Sequence, residues 1–109
     1  MINLYYDYWT GHVDDVTSTL MRSVGQYTRM YKHVKVGITN NPERRVIEHY
    51  KSGKRWRHMA VKYRTNSIRS IDQIERDLID YHWFNVTNKV GGGGGPKGAP
   101  PYYLYVLFN

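Results

Sequence analysis

Five consecutive glycines, Gly91–Gly95, are followed by PKGAPP and then directly by YYLYVLF. Glycine loses the most backbone entropy on ordering and proline lacks an amide donor, so this stretch sustains neither a helix nor a central strand. It has to be a connection. A linker to a tail is one use of such a stretch, but Tyr102–Phe108 is strongly strand-forming and is no tail. The strand after the glycines therefore returns to a sheet made by earlier residues, and the aromatic run Asn3–Trp9 (NLYYDYW) is its expected neighbour.

A chain of 109 residues has room for one core. Hydrophobic residues make up 40% and aromatic residues 15%, which separates it from disordered sequences. Sixteen Lys and Arg against nine Asp and Glu give a net charge of +7, and phosphate neutralisation by such a surface releases counterions, so nucleic acid is the leading partner. A basic protein with no polyanionic partner is the plain alternative. With no cysteine, disulfides, thiolate zinc sites and cysteine nucleophiles are excluded. No apolar run approaches the length of a membrane span and Met1–Trp9 does not resemble a secretory signal, so no membrane partner and a cytoplasmic setting are expected.

Along the chain, Val13–Ser23 carries acids early and Leu20 and Arg22 late, as a short helix does. Gly25–Met30 (GQYTRM) and His33–Thr39 (HVKVGIT) read as two strands of a hairpin turning at Tyr31 and Lys32. The segment NNPERRVIEHYKSG has helix punctuation: Asn41 as cap, Pro42 in the first turn, Glu43 at the positive end and Gly53 at the exit. Trp56–Tyr63 reads as a further strand, and Ser67–Trp83 as a helix with Ile68, Ile71, Ile74 and Leu78 on one side. The expected class is α+β.

Three features carry chemistry on these elements. Arg45 and His49, four apart, leave one helix face and form a phosphate clamp with a proton-handling partner, or else a solvated edge. Glu75 falls within the apolar stripe of its helix, where a carboxylate needs a cation, a metal ion or a strong donor; a rim carboxylate paired with arginine is the alternative. Asp72, Asp77 and Asp80 lie on other faces as solvated charges. Tyr27 and Lys35, on the expected hairpin, are either surface residues or the base and the electrostatic partner that phosphodiester hydrolysis requires.

The run VKVGITNNPERRVIEHY, Val34–Tyr50, resembles the second strand and first helix of the GIY-YIG nuclease family, in which an arginine follows the strand's glycine by eight residues and a histidine or tyrosine follows four later. Gly37, Arg45 and His49 keep that spacing. Gly25-Gln26-Tyr27 resembles the GIY element, IERDLIDYHW resembles the helix bearing the family's metal-binding glutamate, here Glu75, and Asn88 resembles the asparagine beyond it. Lys35 stands where a second tyrosine is usual, as in some restriction-type members, and the interval from Tyr27 to Lys35 is short. The terminal PYYLYVLF also resembles the first strand of many such domains, a placement that makes Tyr105 the catalytic tyrosine; chain order favours Tyr27.

The resemblance implies a small domain with a central, mainly antiparallel three-stranded sheet flanked by helices and extra terminal strands. Residues 1–24 are then an N-terminal strand and helix extension, and residues 25–109 the nuclease core with a glycine-rich loop at 91–101. It implies a divalent-metal-dependent DNA endonuclease of phage or restriction type, with Glu75 holding Mg²⁺ or Mn²⁺, Arg45 on the scissile phosphate, Tyr27 assisted by Lys35 as base, and His49 orienting the tyrosine. Asn88 would orient the glutamate or touch phosphate, and Arg44, Lys51, Lys54, Arg55 and Arg57 would contact the DNA backbone, with the glycine loop close to it. The alternatives are a non-catalytic nucleic-acid-binding module on a degenerate nuclease fold and an interaction protein whose tyrosine-rich terminal strands form a homodimer edge.

Overall fold

Strand and helix alternate along the chain: β1 (Asn3–Trp9), α1 (Val13–Met30), β2 (Val34–Thr39), α2 (Pro42–Lys51), β3 (His58–Thr65), α3 (Ile68–Tyr81) and β4 (Tyr102–Phe108). The computed structural model describes residues 1–88 and 98–109. The expected approach of the glycine run to DNA lies outside the described residues.

Local sequence accounts for the helix boundaries. The side chain of Asn41 accepts a hydrogen bond from the Arg44 amide at 3.1 Å, with Pro42 opening α2 and Glu43 in its first turn. Ser67 caps α3 in the same way, accepting from the Ser70 amide at 3.1 Å. His12 caps α1 through Nδ1, which accepts from the Asp14 amide, and Asp14 and Asp15 occupy its positive end.

The expected hairpin is absent. Gly25–Met30 is the continuation of α1, which runs unbroken from Val13 to Met30. The physical reason is the stripe Val13, Val16, Leu20 and Val24, extended by Tyr27 and Tyr31, whose spacing of three and four keeps one face on the core for the whole length. An extended segment would place those side chains alternately in core and water. The division between residues 24 and 25 accordingly falls inside a helix, and β1 and α1 belong to the same packed unit as the rest.

The four strands form one mixed sheet in the order β1-β3-β4-β2. β1 is parallel to β3, while β3 and β2 are both antiparallel to β4. This corrects two expectations: the sheet is not a three-stranded, mainly antiparallel one with terminal additions, and β4 does not lie beside β1. β4 is central because its residues are apolar on both sides; Tyr102, Leu104, Tyr105, Val106, Leu107 and Phe108 are all buried. β1, exposed at nearly every position, takes an edge.

Helices α1 and α3 cover one sheet face, where Leu20, Val24, Val36, Tyr63, Ile71, Ile74, Leu78, Leu104 and Val106 make the larger core. Helix α2 lies on the other face over a smaller cluster of Ile2, Val46, Met59, Val61, Tyr105 and Leu107. The Tyr6 hydroxyl ties β1 to α2 by donating to Glu43 Oε1 at 2.8 Å. Among the described residues no helix is long and apolar enough to cross a membrane.

Candidate active site

The site forms where α2 overlies the antiparallel pair of β2 and β4. Gly37 stands opposite Tyr105 in that pair. A Cβ on Gly37 would lie 2.4 Å from both Cζ and Oη of Tyr105, so the phenol ring occupies the space a side chain would need. Only glycine lets the ring lie flat across β2. Its hydroxyl then reaches His49 Nε2 at 2.9 Å, with the two rings edge to face.

Arg45 and His49 come from the same face of α2, one turn apart. Arg45 Nε lies 3.4 Å from Glu48 Oε1 and is otherwise without a partner among the described residues, so the guanidinium is held but not fully used. Burial drives the His49 proton affinity down to about 4, helped by the charges of Lys35 and Arg45. The imidazole is therefore neutral at pH 7. Burial likewise lowers Lys35, with Lys54 and Arg45 adding to the effect and Glu75 opposing it.

Glu75 enters from α3, on the opposite side of the sheet. Its charge is felt by both Lys35 and Tyr105, whose side chains leave the α2 face. Burial raises Glu75 to about 7, Asp72 adds to the rise, and Lys35 and Arg76 oppose it. Tyr105 is raised to about 12, mainly by burial, with Arg45 pulling down and Glu75 and Glu48 pushing up.

The structure joins His49 to Tyr105, with Arg45 one turn away on the same helix, and the charges of Lys35 and Glu75 act on members of this group. Tyr27 is elsewhere. It lies on α1, across the sheet, with its ring centroid 4.5 Å from that of Phe108. Chain order favours Tyr27, but the segment that carries it is helical and packs on the other face of the sheet. A sequence signal for Tyr105 was present: a tyrosine in an all-apolar strand requires a glycine opposite if its ring is to cross the neighbouring strand, and VKVGIT offers one.

Asn88 bonds to β2 and to no charged side chain among the described residues. Its amide clips the free edge of β2: Val36 N–H donates to Oδ1 at 3.0 Å and Nδ2 donates to the Val36 carbonyl at 2.9 Å. Both ladder groups that an edge strand leaves open are satisfied by one side chain, which commits Asn88 to structure. Of the expected backbone contacts, Arg44 is exposed and donates through Nη2 to Asn40 Oδ1 at 3.2 Å, while Lys51, Lys54, Arg55 and Arg57 are all exposed.

The donor set fits a hard divalent cation held mainly by water and phosphate. Glu75 is half-buried and makes no ion pair or hydrogen bond among the described residues, so a carboxylate is left that could hold such a cation. Among the described residues no group of three or more His, Asp or Glu is placed to hold a metal ion.

Gly37→Ala is expected to displace the Tyr105 ring. The clash leaves two outcomes, a rotated phenol or a spread β2-β4 pair, and either costs about 1–3 kcal/mol of stability. Urea denaturation measures that loss, and an unchanged midpoint would show that the ring does not need the glycine. Comparison with protein-family models, with curated proteins and with solved structures finds no significant match to this chain.

Proposed function

We propose that the chain is a divalent-metal-dependent DNA endonuclease of the GIY-YIG type, in which β2 is the YIG-like strand and β4, from the far end of the chain, takes the part of the GIY-like strand. One observation carries this reading. Tyr105 is seated across Gly37 and bonded to His49, Arg45 lies one turn away on the same helix, and Lys35 and Glu75 are near enough for their charges to act on this group.

A cation bound by Glu75 would supply Lewis-acid stabilisation of the leaving 3′ oxygen. Arg45 binds the scissile phosphate, its guanidinium offering paired N–H donors to the oxygens that gain charge. His49 Nε2, hydrogen-bonded to the Tyr105 hydroxyl at 2.9 Å, aims the phenol oxygen, and Tyr105 takes a proton from the attacking water as it passes its own toward His49 in one concerted transfer. Lys35 adds positive potential at His49, and neutralisation of Glu75 removes one of the charges that hold the phenol proton in place.

A basic nucleic-acid-binding module accounts for the net charge of +7 but gives no reason to bury a partnerless glutamate beside a tyrosine and two cations. Nicking of supercoiled plasmid in Mg²⁺, compared with EDTA, separates the two. Nicking that requires Mg²⁺ and falls roughly a hundredfold or more in Arg45→Ala is expected. Plasmid left intact in Mg²⁺, or full turnover by Arg45→Ala, would overturn the assignment.

A further inference from the structure

Beside the site, on the Lys35 side, lies an open concavity of about 660 Å³ walled by His33, Lys35, Lys54, Arg55, Trp56 and Asn88. We propose that it is a nucleotide subsite, taking the phosphate and base of the residue that adjoins the scissile phosphate in the strand being cut. This rests on the nuclease reading for the strand's path, but the pocket's chemistry stands apart from it.

Three observations support the assignment. The lining holds two lysines, an arginine and a histidine and no acidic residue, whereas a merely solvated basic face mixes its charges with acids. Its ligand is therefore an anion. The same wall contains an indole, and its volume falls within the roughly 300–1000 Å³ of sites for small organic ligands, so the anion carries a planar apolar group. Lys35 belongs both to this wall and to the catalytic cluster, which makes the two sites continuous along one strand. Lys54 also lies near enough to lower the proton affinity of Lys35 and His49.

A base in the middle of a duplex cannot reach a side pocket without leaving its stack, and that departure is least costly where the base is already unpaired. The subsite therefore favours DNA with an unpaired nucleotide next to the cut. In the pocket, Lys54 and Arg55 hold the phosphate and Trp56 stacks against the base.

The test begins with thymidine 3′,5′-bisphosphate titrated into the full-length chain in EDTA, where cleavage plays no part. With Trp9→Phe and Trp83→Phe, Trp56 is the only indole, and saturable quenching of its fluorescence is expected; calorimetry on the unsubstituted chain gives the same affinity if those changes disturb folding. Lys54→Ala is expected to weaken binding about tenfold, as is removal of the base from the ligand, while Lys32→Ala on the exposed turn before β2 leaves it unchanged. Absence of saturable binding, equal binding of the baseless bisphosphate, or equal weakening by Lys32→Ala would each overturn the subsite. In Mg²⁺, a duplex with one unpaired nucleotide at the cut is expected to be cleaved faster than the perfect duplex by about tenfold, and equal rates would likewise reject it. Binding that behaves as expected while plasmid stays intact would reject the nuclease reading and keep the nucleotide site.

Discussion

Glutamine at position 75 is expected to abolish cutting and to make the protein more stable. Glu75 has a proton affinity raised to about 7, against 4.5 for a free side chain, because burial penalises its charge. Between those pH values the folded chain keeps a proton that the unfolded chain has lost, so stability falls as pH rises from about 4.5 and the full cost is present above about 7. At about 1.4 kcal/mol per pH unit, reduced for the carboxylate's residual contact with water, the cost is on the order of 2 kcal/mol.

Glutamine removes that cost and also removes the carboxylate proposed to hold the cation. Plasmid cleavage in Glu75→Gln is expected to drop roughly a thousandfold or more while DNA affinity in EDTA stays near its original value. His49 shapes the pH profile in the opposite direction: its folded value near 4 lies below the usual 6.5, so stability is lost as pH falls from about 6.5 toward 4. In the unsubstituted chain the two slopes oppose each other between about pH 4.5 and 6.5; in Glu75→Gln only the histidine slope remains. Urea denaturation at pH 5, 6.5 and 8 measures both, and Mg²⁺ should raise the midpoint of the unsubstituted protein alone. Equal stability of the two proteins at pH 8, or cutting by the variant, would contradict the account.

The second large effect separates the two tyrosines. Tyr105→Phe removes one oxygen and keeps the ring seated across Gly37, so the fold loses only the hydrogen bond to His49, about 1 kcal/mol. Cleavage, however, loses its base and is expected to fall by roughly 10²–10⁴ with DNA binding intact. Tyr27→Phe retains the ring that packs on Phe108 and Tyr31 and is expected to cut at the original rate. The reverse result, with Tyr27→Phe inactive and Tyr105→Phe fully active, would move the chemistry to the α1 side of the sheet and end the scheme above.

The sequence by itself determined what can be decided within a few turns of chain. Asn41 and Pro42 set the start of α2, the spacing of Arg45 and His49 put them on one face, and the apolar stripe of α3 carried Glu75 inward; each depends on neighbours three or four residues away. Tertiary structure alone decided which strand lies beside β2. A hairpin with the preceding residues closes the shortest loop, but lengthening a loop costs only about 0.6 kcal/mol per doubling. Full burial of a leucine or phenylalanine contributes about 1.5–3 kcal/mol, and β4 has several such side chains that only a central position covers. The distant strand therefore displaces the near one. Gly25–Met30 is left to extend the helix, Tyr105 replaces Tyr27 beside His49, and Asn88 is drawn to the exposed edge of Val36.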